Sequence, residues 1–106
     1  MYHYRAFVQN VVDGDTVDVR LDLGCKVFVE KRLRLARINA WEVRGTERPA
    51  GLIARDWLRG KILGKHCIIE TIRDRTGKYG RLLAEIEIDG GNINDALVAN
   101  NHARYY

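Results

Sequence analysis

Cysteine, proline and long apolar runs are scarce in this chain, and each scarcity removes a class of protein. Two cysteines, Cys25 and Cys67, are too few for a disulfide framework, and nothing near them has zinc-ligand spacing. Both read as ordinary thiols of the fold. Proline occurs once, as Pro49, and no linker, internal repeat or low-complexity tract interrupts the chain. No stretch approaches the ~18 apolar residues of a membrane span. The start, Met1-Tyr2-His3-Tyr4-Arg5, lacks the apolar centre of a secretory signal. The expected location is cytoplasmic, secretion requiring a leader removed before this numbering begins, and no membrane partner is expected. His3, His66 and His102 form no ligand spacing either.

What is present suits one compact domain spanning residues 1–106, with 46% hydrophobic residues to build its core. A formal charge of +4 favours a polyanionic partner. A monomer is expected.

The first half reads as strands. Tyr4 to Val12 is a β-rich run ending at the Asp13-Gly14 turn, and Val17, Val19, Leu21 and Leu23 then alternate with Asp18, Arg20 and Asp22. Lys26 to Ile38 reads as a third, longer strand whose mixed faces imply a bulge or bend. Ala50, Ile53, Ala54, Trp57, Leu58 and Ile62 form one helical stripe, which makes Trp57 a core residue. Thr46 to Pro49 suits that helix's start, and Lys61 with Gly64 its end. Cys67 to Ile72 and Leu82 to Ile88 are two more strands, joined by the polar loop Arg73 to Gly80. Asn92 is placed to cap a last short helix carrying Ile93, Ala96 and Leu97. The order β-β-β-α-β-β-α predicts an α+β, mainly β fold: a five-stranded OB-type barrel with two helices.

Three segments carry chemistry. Asp13-Gly14-Asp15-Thr16, taken alone, is a turn between strands; it also offers two carboxylates, with Asp15 as a metal ligand and Asp13 as support or outer ligand. Arg34 lies in an otherwise apolar stretch and needs a partner, either an acid of the fold or an anionic ligand. Lys31, Arg32 and Arg37 fit the description of snorkelling surface residues better. Glu42, just past the strand end, is free to approach a bound water. Arg73, Arg75, Lys78 and Arg81 crowd one loop with Tyr79 among them, a mixture that suits a phosphate backbone and a stacked base. Tyr105 and Tyr106 could add stacking surface or simply pack.

In combination these motifs resemble the staphylococcal nuclease (thermonuclease) family: Asp-Gly-Asp-Thr, then Arg34-Leu-Ala-Arg-Ile38-Asn39-Ala-Trp-Glu42, then Lys78-Tyr79-Gly80-Arg81-Leu-Leu-Ala, then Ile93-Asn-Asp-Ala-Leu-Val98. The likeness runs from the first strand to the helix Asn92 to Asn100. It implies an OB barrel that hydrolyses DNA and RNA with calcium, leaving 3′-phosphate ends. By the same resemblance Asp15 is a calcium ligand, and Asn39 stands where a second aspartate ligand is usual. The Ala40 carbonyl supplies another ligand oxygen. Arg34 and Arg81 grip the reacting phosphate, Glu42 prepares water, and Lys78 and Tyr79 hold the nucleotide's other phosphate. Three departures accompany it. Asn39 removes a negative charge and predicts weaker calcium binding, Trp41 replaces a usual proline, and the chain stops before the C-terminal helix of longer members. Two other readings remain open: a barrel that binds single-stranded nucleic acid without cutting it, and a protein-interaction module on the same fold.

Overall fold

The computed structural model describes residues 2–73 and 82–106. Strand β1 (Tyr2–Asp13) is the centre of the sheet, pairing antiparallel with β2 (Thr16–Asp22) on one side and with β5 (His66–Arg73) on the other. Strand β3 (Phe28–Leu35) continues antiparallel from β2, and β6 (Leu82–Ile88) from β5. The ring closes where Leu33–Leu35 of β3 runs parallel to Leu82–Ala84 of β6. The result is the expected five-stranded closed barrel with two helices. Closure removes the unpaired edges that an open sheet would expose.

Period-two patterning explains the interior. Val17, Val19 and Leu21 are buried on β2 while Asp18, Arg20 and Asp22 are not, and Ala84 and Ile86 do the same on β6. Leu23 leaves the pattern and is exposed, because β2 has ended and the chain is entering a turn.

The third strand is shorter than expected, and two backbone conformations explain why. Gly24, Cys25 and Lys26 all have positive φ, so pairing begins only at Phe28. Arg37 sits at φ 69°, which ends β3 at Leu35 and redirects the chain into a separate strand, β4 (Ile38–Ala40). The bend implied by the mixed faces is this break. β4 pairs antiparallel with β8 (Ala103–Tyr105), a short ladder beside the barrel. The two-residue β7 (Gly91–Asn92) pairs with the end of β6.

Helix α1 (Arg48–Ile62) carries Pro49 in its first turn and is followed by Gly64 at φ 72°, the start and stop the sequence signals. Its buried face is rotated from the expected stripe. Gly51, Ala54, Leu58 and Ile62 face in, Ala50 and Ile53 are exposed, and Trp57 is half-buried against the core's edge. Gly51 sets the rotation: it faces the chain at Glu42 at a distance only hydrogen at Cα allows. Helix α2 (Ile93–Ala99) is capped as expected, the Asn92 side chain accepting from the Asp95 N–H at 2.9 Å.

Candidate functional site

The β1–β2 hairpin, strand β4 and the start of α1 meet at one end of the barrel, and small residues permit the meeting. A Cβ on Gly14 would lie 2.7 Å from that of Ala40 and 3.2 Å from that of Ala54. The hairpin is thereby drawn against β4, which brings Asp15 under the backbone of Ala40. Asp15 Oδ2 accepts from the Ala40 N–H at 3.1 Å, and its Oδ1 accepts from the Thr16 hydroxyl at 3.3 Å. Asp13 Oδ1 accepts from the Asp15 N–H at 3.1 Å, placing a second carboxylate beside the first. Burial pushes the Asp15 carboxyl up to about 6, and the neighbouring Asp13 adds to the rise. The Ala40 N–H and Arg34 pull in the opposite direction.

Arg34 stands opposite Thr16 in the β2–β3 ladder. Its terminal nitrogens donate to the side-chain oxygen of Asn39, to the Ile38 carbonyl at 3.2 Å and to the Tyr106 hydroxyl at 3.0 Å. The Asp15 carboxylate lies 3.6 Å away. The partner an arginine here requires is thus an acid and an amide of the fold, on a side chain that remains partly accessible.

Glu42 is exposed, and its position is fixed through the backbone. Its N–H donates to the Glu47 carboxylate at 3.0 Å, while its carbonyl lies against Gly51. Asp13, Asp15, Arg34, Asn39, Ala40 and Glu42 all line one open cleft of about 840 Å³, with Trp41, Arg44 and Arg104 on its walls. Its side-chain oxygen donors include the carboxylates of Asp13, Asp15, Glu42 and Glu47 and the amide of Asn39. Among the described residues no group of three or more His, Cys, Asp or Glu side chains forms a metal cluster. Arg81, Lys78 and Tyr79 lie outside the described residues.

Arg37 departs from its expected role. It does not snorkel: its fork clasps Glu85 at 2.9 and 2.7 Å and reaches Asp95 at 3.0 Å, tying the β3–β4 break to β6 and α2. Arg32 is exposed as expected, paired with Asp18. Sequence reasoning missed Glu47, Gly51 and Arg104. The first two act on Glu42 through contacts that no spacing announces. Arg104 had a visible signal, an arginine directly before Tyr105 and Tyr106.

A closed five-stranded barrel with an acid- and arginine-lined cleft at its rim is the architecture of a nucleic-acid-binding or nuclease OB-fold. Residues 32–106 match the model of the staphylococcal nuclease homologue family, and the chain belongs to that family. The match takes in Arg34, Asn39, Ala40 and Glu42 and begins after Asp13 and Asp15. No individual curated protein matches the chain. Among the described residues no helix is long and apolar enough to cross a membrane.

Proposed function

We propose that this cleft hydrolyses phosphodiester bonds of DNA or RNA in a calcium-dependent reaction. One observation carries the reading: in a chain of this family, Asp15, Arg34, Asn39 and Glu42 share one solvent-open cleft. Their chemistry supports a hard cation. Asp15, Asn39 and the Ala40 carbonyl, with Asp13 behind them, offer oxygen alone, which hard cations prefer. The elevated Asp15 carboxyl beside Asp13 marks a place where added positive charge relieves desolvation and repulsion. Bound there, calcium supplies Lewis-acid polarisation of a phosphoryl oxygen.

The chain's own groups do the rest. Arg34 presents a planar fork to the phosphate, exchanging its contacts with Asn39 and Tyr106 for phosphoryl oxygens, and Arg81 joins it by motif. Glu42, exposed at the cleft's edge and backed by Glu47 and Gly51, orients or deprotonates the attacking water. In Glu42→Gln, turnover is expected to fall about a hundredfold or more while substrate still binds. Unchanged turnover removes Glu42 from the mechanism.

One observation favours binding without cleavage: Arg34 already has internal partners in Asn39, Ile38 and Tyr106, which hold it without a phosphate. Purified protein incubated with single-stranded DNA, with calcium and then with a chelator, separates the readings. Calcium-dependent degradation supports hydrolysis, and a mobility shift alone supports binding. Neither shift nor degradation leaves the protein-interaction module.

A further inference from the structure

Strand β8 carries one arginine and one aromatic, Arg104 and Tyr105, and each forms a cation–aromatic pair with a residue from outside the strand, Trp41 and Arg37. On the face turned from the cleft, Arg37 lies 5.9 Å from the Tyr105 ring centre, and both are spent. Glu85 and Asp95 occupy the Arg37 fork, and the Tyr105 hydroxyl donates to Asp95 at 2.8 Å. On the cleft face, Arg104 lies opposite Asn39 in the β4–β8 ladder, and its guanidinium sits 5.7 Å from the Trp41 ring centre. This second pair is held but not spent. The Trp41 indole N–H donates to the Asn101 carbonyl at 2.8 Å and its backbone N–H to that of His102 at 3.3 Å, which fixes the ring. The indole then has to offer only the face that Arg104 does not cover. Arg104 is exposed, and among the described residues no carboxylate lies within ion-pair distance of it. Both residues line the cleft that holds Arg34.

We propose that Trp41 and Arg104 form a subsite for the nucleotide adjoining the linkage at Arg34, the indole stacking its base and the guanidinium holding its phosphate. The ligand's identity rests on the nucleic-acid reading above; the subsite itself rests on this pair. A fixed aromatic face beside an unpaired cation is what an unstacked base with its phosphate requires. A purely structural pair would be neutralised, as Arg37 with Tyr105 is. Arg104 stands directly opposite Asn39, whose side chain holds Arg34, so a strand lodged on the subsite continues into that arginine's reach.

The test is binding of a labelled short oligothymidylate, followed by anisotropy in chelator over a range of salt. Trp41→Leu is expected to weaken binding about tenfold, and Trp41→Phe, which keeps a ring, to retain most of it. Arg104→Gln is expected to reduce the slope of log affinity against log salt by about 0.7, and Arg104→Lys to restore it. In Trp57→Phe, where Trp41 is the remaining indole, the oligonucleotide is expected to quench fluorescence. Wild-type affinity in Trp41→Leu overturns the subsite, as does an unchanged salt slope in Arg104→Gln; the second holds even if Trp41→Leu does not fold. Degradation is scored separately with calcium. Trp41-dependent binding without degradation overturns hydrolysis and supports the subsite. Degradation alongside unaltered binding in Trp41→Leu does the reverse.

Discussion

Asn39 shares one nitrogen of Arg34 with Asp15, so its side chain governs the grip on the arginine and, in the calcium site proposed above, the charge offered to the cation. An amide oxygen can coordinate calcium, yet it contributes no negative charge, and affinity in oxygen cages follows the count of charged ligands. Asn39→Asp adds that charge within reach of Asp15 and also strengthens the hold on Arg34, since a carboxylate accepts from guanidinium more strongly than an amide does. Calcium affinity is therefore expected to rise roughly tenfold, measured by calorimetric titration of wild type and variant. An unchanged titration would remove this side chain from the ligand set. Turnover at saturating calcium is expected to gain less than affinity does, because the arginine must leave a stronger partner to meet phosphate.

At the scale of elements, the segment from Trp41 to Glu47 hangs between β4 and α1, and Gly51 decides how closely the helix approaches it. A Cβ at Gly51 would lie 2.0 Å from the Glu42 carbonyl oxygen and 2.7 Å from the Val43 nitrogen. Backbone cannot swing aside as a side-chain tip can. Gly51→Ala is expected to cost about 1–3 kcal/mol and to move Glu42, lowering both melting temperature and turnover. Gly60, on the same helix, has nothing within 4 Å of its would-be Cβ. There the same substitution is expected to stabilise by about 0.5–1 kcal/mol through helix propensity alone. Thermal melts of the two variants check the pair, and equal shifts in one direction would show that propensity rather than contact governs both. The contrast also shows where sequence reading stops. Both glycines lie inside one helical pattern, and only the fold distinguishes them. Alternation on β2 and β6 was legible because burial there follows side-chain parity, and the Asn92 cap because its partner lies three residues away. The break at Arg37 was not, since a positive φ in an arginine leaves no compositional trace. Nor was β8, whose three residues are too few for a period to register. In the cleft, the acids and Arg34 were legible by motif, whereas Glu47 and Arg104 depend on which strands and turns become neighbours.

Across the whole molecule, the barrel, the β3–β4 break and α2 converge on one fully buried polar side chain. Asn94 accepts from the Ile86 N–H at 3.2 Å and donates to the carbonyls of Ala36 and Ala84 at 3.0 and 2.9 Å. The Ala84 carbonyl keeps a second partner, the Ala36 N–H at 2.9 Å. Outside the strand ladders, neither the Ile86 N–H nor the Ala36 carbonyl has another hydrogen-bond partner among the described residues. In Asn94→Leu, of similar size, those two groups are left buried and unpaired, at about 1–3 kcal/mol each. A loss of about 4 kcal/mol is expected, lowering the melting temperature by some 15 °C or more for a domain of about this size. Asn94→Asp tests the donors separately. It can still accept from Ile86 but turns a carboxylate toward two carbonyls, so at neutral pH it should be no more stable than the leucine variant. Circular dichroism melts of the three proteins read the effect directly. A drop of only a few degrees in both variants would mean that the strand ladders alone carry the barrel's closure. The cleft would feel a large drop too, because Ala36 lies in the chain between Arg34 and Asn39, and the residues proposed to meet the phosphate are spaced by the turn that Asn94 holds shut.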